Sequence, residues 1–99
     1  MELTLTRSAA NWFQTELGAQ NGDAIRLFVR YGGGTMVHPG FSLGVSVEQP
    51  ADVGASTSTD GIQVFVRDDD LWYFDGHDLV IDWDPVEEDL RYTIGDERV

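Results

Sequence analysis

The 99-residue chain contains no cysteine and no lysine. Without cysteine its own residues can supply no disulfide, no zinc–thiolate site, no thiol nucleophile and no thiolate-bound iron–sulphur cluster. Without lysine there is no amine for a Schiff base, and the six basic residues are all arginine. Against them stand 18 Asp and Glu, a formal net charge of −12 at pH 7. Such a surface repels nucleic acid and anionic lipid, which both need cations to replace their counterions. No apolar run approaches the roughly 18 residues of a membrane span. The opening Met1-Glu2-Leu3-Thr4-Leu5 has neither the basic segment nor the apolar stretch of a signal peptide. A cytoplasmic protein is expected, with no nucleic-acid and no membrane partner; a protein partner or a homo-oligomer stays open.

The charge has a second implication. A chain of 11.0 kDa carrying −12 repels itself in dilute buffer, where the screening length is long. An acidic, lysine-free surface fits a cytoplasm filled with molar salt, so a halophilic adaptation is expected. The alternative is an acidic protein that docks on a basic partner.

What is present suits one domain spanning residues 1–99. The apolar share is 41 %, ordinary for a globular fold, and the length leaves no room for a second core. Leu3 and Leu5 alternate with polar neighbours and predict a short edge strand. Thr6 is a good N-cap for a helix to about Leu17, with Ala9, Ala10, Phe13 and Leu17 as its apolar stripe, Trp12 on the flank and Gly18 as a left-handed end. The period then drops to two. Ile25–Tyr31, Phe41–Val47, Ile62–Val66, Leu79–Trp83 and Leu90–Ile94 each read as strands bounded by Gly, Pro or Asp. Asp60-Gly61 is a hairpin turn between Ala55–Thr59 and Ile62–Val66. Asp68–Phe74 predicts one helical turn, with three aspartates at its start and Leu71 and Phe74 on one face, closed by an Asp75-Gly76 turn. The expected fold is mainly β, a sandwich or pseudo-barrel with one N-terminal α-helix and a short helical turn.

Several motifs in this order carry a resemblance. They are Thr6-x-x-Ala9 opening a helix, Gly33-Gly34 in a glycine-rich loop, His38-x-Gly40-Phe41-Ser42-Leu43-Gly44, and Phe74-Asp75-Gly76-His77-Asp78-Leu79 before an apolar strand. With them the chain resembles the HesB/IscA-like iron–sulphur cluster biogenesis domains over residues 2 to 94, closest to the cysteine-less, YneR-like branch. The resemblance implies a HesB-like sandwich and a link to iron–sulphur assembly. Carriers of that family hold iron or a cluster with three cysteines, one in the glycine loop and two near the C-terminus. Here the loop reads Gly32-Gly33-Gly34-Thr35 and the tail after Arg91 has no replacement. Neither glycine nor a hydroxyl replaces a thiolate, so the carrier role does not transfer. A non-enzymatic binding or scaffold module is expected, with no catalytic or cofactor-binding residues assigned.

The alternative reading is a small metal-binding protein. His38 and His77 are the only histidines, and Asp75, His77 and Asp78 place nitrogen and oxygen donors within four residues. Joined by His38, they would form a two-histidine, one-carboxylate site for iron or zinc. The plainer reading of His77 is a turn residue hydrogen-bonded to a neighbouring carboxylate. Asp68-Asp69-Asp70 lacks the alternate spacing of a calcium loop and reads as the start of the helical turn. Gly32–Gly34, with no lysine and no helix after it, reads as a tight crossing rather than a phosphate cradle. Phe28, Phe65, Trp12, Trp72 and Tyr73 read first as core, with a partly covered contact to a partner or a second subunit as the alternative.

Overall fold

A computed structural model describes residues 1–31 and 41–95. Among these described residues, seven strands form two sheets beside one α-helix and one 3-10 helix: β1 (Leu3–Leu5), α1 (Arg7–Glu16), β2 (Ala24–Tyr31), β3 (Phe41–Val47), β4 (Val53–Thr59), β5 (Ile62–Arg67), the 3-10 turn (Asp68–Phe74), β6 (Leu79–Asp84) and β7 (Asp89–Ile94). The mainly-β expectation holds, as two open sheets rather than a closed barrel. The smaller sheet runs β1-β6-β7 and the larger β3-β2-β5-β4. β1 is an edge strand, parallel to β6. β2 lies parallel to β5 and antiparallel to β3.

Each element forms where its local chemistry asks for it. The Thr6 hydroxyl accepts from the Ala9 N–H, capping α1, and buries Ala9, Ala10 and Phe13 beneath it. Leu17 departs from the expected stripe: as the C-cap residue it swings out and is exposed. Gly18 then takes φ +68°, and the N–H of buried Ala19 reaches back to the Phe13 carbonyl at 3.1 Å. The β4–β5 hairpin turns through Asp60 (φ 52°) and Gly61 (φ 82°), the pair of positive angles of a type I′ turn.

The core lies between the sheets and α1. Leu3, Leu5, Phe13, Ile25, Leu27, Ile62, Val64, Val66, Leu79 and Ile81 all bury into it. On β2 and β3 the outer face is distinct. There Arg26, Phe28 and Arg30 stand opposite Ser46, Gly44 and Ser42. A Cβ on Gly44 would sit 2.7 Å from the Phe28 ring, so the glycine leaves the space that the ring occupies.

For two of the aromatics the core reading holds over the contact-surface alternative. Phe65 and Tyr73 are fully buried, not partly covered. Phe65 points away from the core side of β5, but the 3-10 turn lies across that outer face. Leu71 packs where a Gly54 Cβ would be, and Asp70 bonds Arg26, the register partner of Phe65. Of the three aromatic residues in that segment only Trp72 faces water, at 51 % exposure.

Candidate functional site

The turn after the 3-10 segment holds three of the four predicted metal-ligating residues. Asp75 ends the segment in the left-handed region (φ 54°), its N–H on the Trp72 carbonyl, and Gly76 follows at φ 82°. This reversal aims His77 and Asp78 at the ends of three strands. The His77 N–H bonds Phe74 O at 2.9 Å, and His77 Nδ1 lies 3.0 Å from the Gly95 carbonyl, just past β7. A carbonyl only accepts, so Nδ1 carries a proton, and in the neutral ring Nε2 is the nitrogen with the lone pair. Asp78 Oδ1 accepts from the Glu2 N–H at 2.8 Å. Glu2 O takes the Leu79 N–H, and Asp78 O takes the Gly95 N–H. The turn thus stitches the start of β1, the start of β6 and the end of β7.

Among the described residues no three His, Asp or Glu side chains come together as a metal site. His77 and Asp78 are neighbours in sequence, but His77 Nδ1 meets Gly95 O just past β7 while Asp78 Oδ1 meets the Glu2 N–H ahead of β1. His38 and Gly32–Gly34 lie outside the described residues. The aspartate run also separates. Asp70 pairs with Arg26 at 3.2 Å, Asp69 reaches Arg67 at 4.0 Å, and Asp68 lies by Gly54.

His77→Ala removes one hydrogen bond of this stitch and is expected to cost about 1 kcal/mol, read from urea unfolding. The same variant tests ligation. A stoichiometric metal present in the wild-type protein and absent from the variant would show that Nε2 coordinates.

A second polar junction escaped sequence reasoning. Asp82, on β6, accepts from the Thr6 hydroxyl and from the Trp83 N–H, both at 2.8 Å on Oδ1, and Arg91 approaches Oδ2 at 3.4 Å. The Thr6 bond first, and the Trp83 N–H next, hold the Asp82 carboxyl below its ordinary value of 3.8. The folded state therefore binds this proton less readily than the unfolded chain. Its contribution is complete above the unfolded value and fades as pH falls through the lower folded value. Acid titrations followed by circular dichroism should show Asp82→Asn losing less stability below about pH 4 than the parent. The two aspartates of β6, Asp82 and Asp84, gave no sign of which one holds the hydroxyl of the helix-capping Thr6, 76 residues away.

A third feature is the pairing of Trp12 with Trp83. Their rings stack with centroids 6.1 Å apart and planes at 26°. They flank an open groove of about 360 Å³ between α1 and the end of β6. Among the described residues no helix is long and apolar enough to cross a membrane.

Comparison with known proteins agrees with the fold. The profile of the family described as iron–sulphur cluster biosynthesis matches residues 1–95. A Bacillus subtilis protein named pyruvate dehydrogenase inhibitor is 46 % identical over 83 residues, covering 84 % of this chain and 87 % of the relative. An uncharacterised protein of Staphylococcus saprophyticus is 39 % identical over 96 residues, covering 94 % of this chain and 98 % of its own. One from Staphylococcus aureus is 33 % identical over the same length, with the same coverage.

Proposed function

The chain belongs to the iron–sulphur cluster biosynthesis family, and from that membership and its lack of cysteine we propose that it is a non-catalytic binding protein of the cysteine-less, YneR-like branch. Its donor set does not fit a cluster: 99 residues supply no thiolate, and iron–sulphur clusters rest on thiolate ligation, with histidine substituting only in part. That absence carries the reading. What remains of the family is the scaffold, whose means of acting is contact with another protein. The 46 % identity to a protein named pyruvate dehydrogenase inhibitor supports a pyruvate dehydrogenase as the target, met in the cytoplasm.

The experiment is direct. Purified protein is titrated into a pyruvate dehydrogenase assay and, separately, over the immobilised enzyme. Saturable binding with inhibition is the expected result; no binding at high micromolar protein overturns the reading. A control reconstitutes the protein anaerobically with iron and sulphide, and it should stay colourless.

A second reading has one observation in its favour. His77 gives Nδ1–H to a backbone carbonyl and leaves Nε2 open, the arrangement metal-bound histidines commonly adopt. Iron or zinc held by His38, His77 and Asp75 or Asp78 is its concrete form. Metal analysis of protein purified without chelator decides it: about one equivalent supports it, and less than about a tenth rejects it.

The charge enters here as well. If the −12 surface is a salt adaptation, Tm should rise by more than about 5 °C between dilute buffer and molar KCl as self-repulsion is screened. A flat response assigns the charge to docking on a basic partner instead. The relatives named above come from Bacillus and Staphylococcus, which gives the salt reading no support.

A further inference from the structure

We propose that the groove between α1 and the end of β6 receives an arginine side chain from a basic segment of a protein partner. The inference deepens the binding reading above and rests on it for the partner's being a protein. The groove is lined by Ser8, Asn11, Trp12, Thr15, Glu16 and Trp83. Its aromatic wall is held from two sides. Trp12 meets the buried Phe13 edge-on at 5.5 Å, and the Trp83 backbone N–H is anchored on Asp82. Both indoles are half-buried, so each keeps part of its surface open to a ligand.

The electrostatics of the groove have one sign. Among the described residues that line it, Glu16 is the one acidic side chain and is exposed, and none is arginine. The last turn of α1 contains no basic residue, so the negative end of the helix dipole is left without a cation beside Glu16. Thr15 turns its hydroxyl onto the carbonyls of Asn11 and Trp12, so it is not a donor competing for an anion. Indole faces attract cations through their quadrupole, most strongly where water is excluded. A planar guanidinium can lie on an indole face while its fork reaches a carboxylate, which a compact ammonium cannot do. Aromatic anchors set in a pocket are where binding energy concentrates at protein contacts. The protein's charge of −12 attracts a basic segment from a distance; the groove decides where it seats.

The test uses the full chain and N-acetyl-arginine methylamide, with the lysine analogue as comparison, followed on the three indole N–H signals by NMR. Arginine should shift Trp12 and Trp83 along one saturating curve, leave Trp72 unmoved and bind more tightly than lysine. Glu16→Gln should weaken binding at least fivefold, whereas Asp69→Asn, an equal change of charge on the 3-10 turn, should stay within twofold. Equal losses from the two variants, or an equal shift of Trp72, would reduce the effect to the general field and overturn the proposal. Glu16→Arg then enters the dehydrogenase titration. If the wild type inhibits and this variant inhibits equally, the groove is not the contact and the inference falls while the binding reading stands. If the wild type neither binds nor inhibits the dehydrogenase, the binding reading falls, and the arginine titration still judges the groove.

Discussion

Gly61→Val is expected to destabilise the protein by about 3 kcal/mol, lowering Tm by more than about 10 °C. Gly61 occupies the second central position of the β4–β5 turn at φ 82°, where a β-branched residue is strained whatever the space around it. Space is short as well. An added Cβ would collide with Asn21 Oδ1 and come within 2.7 Å of its Cγ. The two loops are held together there, since the Gly22 N–H bonds Gly61 O at 2.8 Å. Asn21 is an exposed side chain able to rotate away, so Asn21→Ala in the Gly61→Val background should recover only a minor part of the loss. Full recovery would show that the collision, not the backbone angle, sets the cost. Chemical denaturation of the four proteins separates the two contributions.

The second large effect concerns Arg26. Arg26→Ala should cost about 2–3 kcal/mol. The guanidinium bonds Asp70 at 3.2 Å, with side-chain exposures of only 22 % and 16 %, so solvent screens the pair weakly. Glu48 approaches at 3.9 Å from the other side, and the Phe28 ring lies 5.6 Å from the guanidinium carbon. In a chain this acidic the arginine is what lets the 3-10 turn, with its three aspartates, lie on the outer face of the sheet and seal Phe65. Removing it takes away the cation that Asp70 and Glu48 both approach, leaving Asp70 at 16 % exposure without it, and strips the apolar stem from the sheet. Arg26→Met separates the parts by restoring the stem without the charge. Adding Asp70→Asn to Arg26→Met should recover more than half of that variant's loss, because the uncompensated carboxylate is gone. An Arg26→Met protein within about 0.5 kcal/mol of wild type would show that the ion pair does not hold the turn in place.

These two residues mark where sequence reading succeeds and where it stops. Asp60-Gly61 was legible because a type I′ turn needs positive φ at both central positions, a demand that nearest neighbours express. Arg26 was not, because alternation places it on an outward face and says nothing of a segment 44 residues later folding over that face. The same holds for Phe65 and Tyr73, where alternation left core and contact surface both open and the covering segment decided for core. It holds in reverse for Leu17, which has helical spacing but falls one residue beyond the last turn.

By itself, the sequence determined the order of the elements, the Thr6 cap, the hairpin and the impossibility of thiolate ligation, since each follows from neighbouring residues or from an atom type the chain does not possess. Tertiary structure alone decided that His77 bonds Gly95, that Asp82 serves Thr6, and that Trp12 meets Trp83. Those contacts join residues far apart in the chain, and only packing sets such distances. Periodicity reports which face a side chain takes and is silent on what arrives opposite it.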